Sequence, residues 1–321
     1  MRKSNSHVTV GLHIPNKYME ERVGVSGISG VGKTTLGKAV YNTTYAKFDA
    51  YFFAQKNTTL VDLQQVILRR LVNYHGEVSS VAEGKALMRN LLRGVCALVI
   101  LDDVNDDSHL DAVKGDWFGS GSRIIITSRD QHILNLAKVE SVLKMSGLRE
   151  DEALQLFSWH SFSRALPETP YKELSTGIAR ACRGNPLSLQ VIGAYLLDKK
   201  EPNDIQCWEE ALYNIGENQE ISGVLQISYD GLSHVEKEIF LDIACCFGGE
   251  RKKDVVTFWE VLYPSRVQTV IKNLSLKMLI NDCDLQDPLD MHDLVRGMGR
   301  GIKRTVLIIA DCGCQWVHIE L

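Results

Sequence analysis

The residues best equipped to do chemistry lie in one short run, GISGVGKTT at positions 27–35. The spacing is G-x-x-x-x-G-K-[ST], and each residue type answers a requirement of phosphate binding. Gly27, Gly30 and Gly32 let the backbone curl so that several N–H groups face one anion, through conformations at positive φ that most side chains avoid. Lys33 supplies a mobile positive charge for the outer phosphates. Thr34 offers a hydroxyl to Mg2+, and a helix that starts here turns its positive dipole end toward the same anion. Val31 and Thr35 complete the candidate phosphate cradle.

A nucleotide-triphosphate site also needs a carboxylate at a strand end. The segment ALVILDDVN at 97–105 supplies two, Asp102 and Asp103. Adjacent carboxylates permit a division of labour: Asp102 joins Thr34 in the metal shell, and Asp103 orients or deprotonates an attacking water. The segment GSRIIITSRD at 121–130 ends near Arg129. A guanidinium there can reach a γ-phosphate and register its presence. Asp103 and Arg129 are thus the catalytic candidates, and a surface charge is the bland alternative for Arg129.

These side chains need a scaffold, and the hydrophobic pattern provides one. Apolar runs at 22–28, 51–54, 95–101, 123–127 and 141–145 alternate with helical stretches at 33–42, 60–74 and 81–92. Strands that alternate with helices imply a parallel sheet covered on both faces. After Gly147 the strand signal fades. Helices are expected at 149–162, 171–182, 186–197 and 207–215, then at 233–246, 253–262 and 266–277. A short polar hairpin at 279–291 leads to a last helix at 293–303. The fold class is α/β plus all-α: a P-loop NTPase sheet, a helical domain, and three helices with a small hairpin that fit a winged helix. The expected boundaries are 1–147, 148–218 and 219–304, with 305–321 as a divergent tail.

Bulk properties narrow the function classes. At 321 residues the chain is long enough for two or three domains. A net charge of −4 argues against a general nucleic-acid or membrane surface. No apolar run approaches the roughly 18 residues that span a bilayer, and the first ten residues lack a secretory h-region. The cytoplasm, or the nucleus, is the expected location. The eight cysteines form no CxxC pair, so they read as reduced structural residues rather than zinc ligands or a disulfide framework.

Taken in order, the motifs resemble the NB-ARC domain of plant intracellular immune receptors of the nucleotide-binding leucine-rich-repeat class. Residues 27–35 resemble its P-loop, 97–105 its Walker B segment and 121–130 its sensor-arginine strand. LREDEALQLFSWHSF at 148–162 is similar to the helical motif that follows. GNPLSL at 184–189 is similar to the GLPL motif, and Met291-His292-Asp293 is similar to the MHD motif. FLDIACCF at 240–247 resembles the motif of the subclass that carries an N-terminal TIR domain.

The resemblance implies nucleotide-binding, helical (ARC1) and winged-helix (ARC2) subdomains that hold ADP at rest and ATP in an active, oligomerising state. It places Val10 and Gly11 at the adenine, Pro186 near adenine and ribose, and His292 at the ADP β-phosphate. A helix-capping histidine is the alternative for His292. Self-association or assembly with full-length receptors is the implied partnership. The chain departs from the pattern in a short link between residues 10–12 and the P-loop strand, in Ser128, Asn185 and Ser188, and in lacking recognisable TIR and leucine-rich-repeat parts.

Two other classes compete. A dedicated P-loop ATPase or kinase would show robust turnover, and a kinase needs an acceptor pocket. A winged-helix transcription regulator would need a basic face, for which only Arg251, Lys252 and Lys253 are candidates. Nucleic acid is therefore not the expected partner.

Overall fold

Strands rich in β-branched residues that must be buried on both faces can only pair in the interior of a covered sheet. The segment ALVIL is such a case, and all five of its residues are buried. The structure, a computed structural model, describes residues 21–54, 59–201, 204–217, 221–281, 284 and 286–311. Val10, Gly11 and positions 312–321 lie outside the described residues. The chain divides into two compact units, Met1–Ser146 and Gly147–Leu321.

The first unit contains, in chain order, β1 (Glu21–Ser26), α1 (Lys33–Thr44), β2 (Ala50–Ala54), α2 (Leu60–Val72), α3 (Val81–Leu91), β3 (Ala97–Leu101), β4 (Arg123–Ser128), α4 (Gln131–Leu136) and β5 (Ser141–Lys144). The strands form one parallel sheet in the order β2-β3-β4-β1-β5. Register matters for the site. Leu101 pairs with Ile126 and Ser26 with Ser128, so the carboxyl ends of β1, β3 and β4 lie side by side. Ligands of open parallel sheets bind at this edge. One face of the sheet packs on α2 and α3 through Leu63, Ile67, Leu68, Leu71 and Met88. The other packs on α1 through Leu36 and Val40. Thr59 and Asp62 form a capping box that starts α2, and the Ser80 side chain caps α3.

The second unit is helical: α5 (Glu150–Phe162), α6 (Lys172–Ala181), α7 (Pro186–Leu196), α8 (Ile205–Glu217), α9 (Ile221–Asp230), α10 (His234–Asp242), α11 (Lys252–Leu262), α12 (Val267–Leu276) and α13 (Asp293–Asp311). One apolar cluster gathers Phe157, Phe162, Tyr171 and Trp208, with the Trp208 indole donating to the Lys199 carbonyl at 2.6 Å. Another surrounds Phe240, Trp259, Ile271 and Leu289.

Several features differ from the pattern read in the sequence. Among them are α4, which was not expected, and α13, which runs on to Asp311 beyond the expected end at 303. Helix α9 was not anticipated; Gly223 and β-branched residues weaken its propensity, and it is held by Val224, Leu225, Ser228 and Tyr229 on one buried face. The helix expected over 233–246 ends its regular part at Asp242 and continues as a π-helical turn, Ile243–Phe247. The expected hairpin at 279–291 shows no strand ladder among the described residues. Its arms do meet, Asn281 N–H donating to the Asp290 carbonyl at 2.8 Å, and its second arm also bonds to the segment just before α11. Arg251 bridges Pro288, Gly249 N–H donates to the Leu289 carbonyl at 2.8 Å, and Leu289 N–H donates to the Glu250 carbonyl at 2.7 Å.

Candidate functional site

The loop after β1 takes the shape its glycines permit. Gly30 has φ 77° and Gly32 has φ 104°, both in the left-handed region. Gly27 is required for a different reason. A Cβ there would lie 2.9 Å from Val31 Cγ1 and 3.0 Å from the Met145 carbonyl oxygen, so the loop could not seat against the end of β5. Gly32 is the N-cap of α1 and has no side chain with which to cap it, which leaves the first-turn amides to face an anion.

Lys33 is buried, at 7% exposure, and folds back over the loop. Its ammonium donates to the Gly27 carbonyl at 2.8 Å and to the Ile28 carbonyl at 3.0 Å. Burial holds its pKa below the ordinary lysine value; Asp103 and Asp102 pull it upward, and Arg129 pushes it further down. A desolvated ammonium of this kind gains strongly from a neighbouring anion. Val31 is buried beneath the loop, and Thr35 is exposed on the first turn of the helix.

At the ends of β3 and β4 the acidic residues are held tightly. Asp102 is buried, and each carboxylate oxygen accepts one short bond: Oδ2 from the Thr34 hydroxyl and Oδ1 from the Thr127 hydroxyl, both at 2.7 Å. A threonine that donates its proton to Asp102 presents its oxygen lone pairs outward, as a Mg2+ ligand should. Asp103 sits at φ 52°, and its N–H donates to the Thr127 hydroxyl oxygen at 2.8 Å. Its carboxylate meets the Arg129 guanidinium at 3.4 Å. Lys33, Thr34, Asp102, Asp103 and Arg129 are thus brought together as the spacing predicts. Thr127 was not singled out in the sequence. The available signal was a hydroxyl at the second-last position of the strand beside Asp102.

Comparison with known proteins identifies two domains in the chain. Residues 12–166 match the NB-ARC domain family, and residues 233–307 match the winged-helix domain of Roq1-like disease-resistance proteins. The chain carries an NB-ARC domain. It is 37% identical over 295 residues to the disease resistance protein RUN1 of Vitis rotundifolia, an alignment covering 88% of this chain and 22% of that one. It is 31% identical over 300 residues to the TMV resistance protein N of Nicotiana glutinosa, covering 87% and 25%. The chain therefore spans only about a quarter or less of the length of these relatives. Among solved structures, Cdc6p from Pyrobaculum aerophilum aligns with 91% of this chain and 89% of that one, at 14% identity and a TM-score of 0.42. The P-loop NTPase fold class, the winged helix and the likeness to plant disease-resistance proteins are all borne out.

The segments of the second unit that resemble NB-ARC motifs have local geometries of their own. Arg183 and Gly184 both adopt positive φ, 51° and 68°. A Cβ on Gly184 would collide with the Leu148 carbonyl oxygen, and Leu148 N–H donates to the Gly184 carbonyl at 2.8 Å. Asn185, a departure from the usual leucine, is buried and caps α7; its Oδ1 accepts from Ser188 N–H at 3.2 Å. Pro186 is half-buried at the first position of that helix, where its fixed φ and missing N–H do no harm. His292 is half-buried before α13, and its Nδ1 accepts from Leu294 N–H at 3.1 Å. The capping alternative is therefore realised.

The cysteines described, at 96, 182, 207, 245 and 246, are free thiols, and burial pushes Cys182 up to about 12. Arg251, Lys252 and Lys253 form a solvated helix start, with Arg251 paired to Asp254 at 2.9 Å. Among the described residues, no helix is long and apolar enough to cross a membrane.

Proposed function

We propose that this chain is the ADP/ATP-binding switch module of a plant intracellular immune receptor, ADP-bound at rest and ATP-bound when active, with at most slow hydrolysis. One observation carries the reading: a buried lysine closing a loop with two left-handed glycines, next to a threonine hydroxyl bonded to a buried aspartate. The loop amides and Lys33 would hold the phosphates, with Gly27, Gly30, Val31, Gly32 and Thr35 shaping the cradle. Thr34 and Asp102 would hold Mg2+, which supplies charge neutralisation between phosphate oxygens. Arg129 and Asp103 would respond to the outermost phosphate. Val10, Gly11 and Pro186 are the proposed base and ribose contacts, and His292 the proposed β-phosphate contact.

The pairing of Asp103 with Arg129 favours a switch over a dedicated ATPase or kinase. The side chain suited to handle water is engaged by the side chain suited to sense phosphate, so the two respond together. We also propose three functional domains, 1–147, 148–218 and 219–304, residence in the cytosol or nucleus, and self-association or assembly with full-length receptors.

The test is the identity of the nucleotide released on denaturing the purified protein, read by mass spectrometry. ADP at close to one per chain from the unaltered protein, and none from Lys33→Ala, is the expected result. Rapid steady-state ATP turnover by the isolated chain would overturn the switch reading in favour of an enzyme.

A further inference from the structure

The hydroxyl of Thr127 stands where three strands of the site meet, and it does two jobs at once. As donor it binds Asp102 Oδ1 at 2.7 Å, and as acceptor it takes Asp103 N–H at 2.8 Å. Thr127 itself is wholly buried. Its place is set by β4, whose end is clamped to the loop after β3: the Thr127 carbonyl accepts Val104 N–H at 2.9 Å, and the next residue, Ser128, donates its hydroxyl to the Val104 carbonyl at 2.7 Å.

Two consequences follow from this arrangement. The Asp102 carboxylate has one oxygen committed to Thr34 and the other to Thr127, so its plane is fixed relative to the Thr34 hydroxyl. Asp103, a non-glycine residue at φ 52°, is in a region that costs free energy unless neighbouring bonds hold it. The bond from its N–H to Thr127 is one that holds it there. A single hydroxyl on β4 therefore sets the orientation of both acidic side chains at the end of β3.

We infer that Thr127 is a positioning residue for the divalent-cation shell, fixing Asp102 against Thr34 while holding Asp103 in the strained conformation that turns it toward Arg129. The inference rests on the nucleotide-binding reading above and deepens it. Valine at this position keeps the branched shape and the strand preference but removes both hydrogen bonds. Buried outer partners of metal ligands are worth about 10–100-fold in metal affinity.

The experiment measures equilibrium binding of a fluorescent ADP analogue and a fluorescent ATP analogue, each with Mg2+ and with excess chelator, for the unaltered chain and for Thr127→Val, Thr127→Ser and Thr127→Cys. Thr127→Val is expected to bind in chelator within about threefold of the unaltered chain while losing about tenfold or more of the tightening given by Mg2+. Thr127→Ser, which retains the hydroxyl, is expected to restore that tightening. If Thr127→Val does not fold, as judged by circular dichroism, Thr127→Ser and Thr127→Cys make the same comparison at nearly equal size, and only serine should keep the Mg2+ effect. An unchanged Mg2+ effect in Thr127→Val would overturn the inference, as would an equal loss with and without the metal, which would mark a merely structural residue. Failure of the unaltered chain to bind nucleotide in either condition would instead remove the nucleotide reading on which the inference stands.

Discussion

Lys33 is buried without a full counter-charge of its own, since its ammonium donates to two neutral carbonyls of the loop it closes. Burial is the largest influence on it and disfavours the charged form, leaving its pKa below 10.5. The sign of the pH dependence follows. In the ligand-free chain the folded state binds the Lys33 proton less tightly than the unfolded state does. The penalty is therefore present while Lys33 is charged and is relieved as pH rises through its lowered pKa toward 10.5. A phosphate anion beside the ammonium reverses the preference and raises the pKa. ADP affinity should thus be flat at neutral pH and fall as pH rises through the free-state pKa, by up to about tenfold per pH unit, until the bound-state pKa is passed. Titrating ADP at a series of alkaline pH values checks this. In Lys33→Arg, whose guanidinium keeps its charge, the decline should vanish even if binding is weaker throughout. An identical decline in both proteins would place the titrating group elsewhere.

Elements, rather than single residues, explain how the GNPLSL segment tolerates its departures. Asn185 replaces an apolar residue in the usual pattern, yet it caps α7 from a buried position. Asn185→Ala should therefore lower stability by about 1 kcal/mol, the usual value of an N-cap. Gly184→Ala should be worse. The left-handed φ alone costs about 1–2 kcal/mol for a side chain, and the new Cβ would strike the Leu148 backbone. Denaturant unfolding of the two variants gives both numbers, and equal small losses would contradict the geometry.

The same segment shows what could be read in advance. The motif marked α7 and its proline, because a proline at the first helical position is a local signal. Nothing local revealed that Gly184 faces Leu148, a contact 36 residues away in sequence. Likewise the periodic runs of β3 and α2 were legible because burial repeats at the strand or helix period. Helix α9 was missed because its helicity depends on packing of Val224, Leu225 and Tyr229 rather than on propensity. The segment at 279–291 looked like a hairpin because polar turn residues interrupt two apolar ends. The choice of partner for its second arm, near Glu250 and Arg251, is a tertiary fact. In the site, the glycines, Lys33, Thr34 and the acidic pair were legible from their spacing, whereas the dual bonding of Thr127 was not.

At the scale of the whole molecule, the chain consists of two units, each with apolar clusters of its own. Everything described at the P-loop belongs to the first, and Pro186 and His292 belong to the second. If nucleotide acts as a switch, its binding free energy must depend on the state of both units, because a ligand shifts an equilibrium only by its differential affinity. Calorimetry can read this directly. A ligand at about 100 times its Kd adds about 2.7 kcal/mol to the unit that binds it. ADP should raise the unfolding temperature of the first unit in any case. In the unaltered chain it should raise that of the second unit as well, or merge the two transitions. His292→Ala should keep the first shift and lose the second, since its imidazole is the group proposed to respond to the β-phosphate. The variant also gives up the cap on Leu294, so its ligand-free second transition should already lie lower by the effect of about 1 kcal/mol expected for a lost cap. The decisive quantity is therefore the ADP-induced increment, not the absolute temperature. An increment confined to the first unit in the unaltered chain would mean that the P-loop binds nucleotide without informing the winged helix.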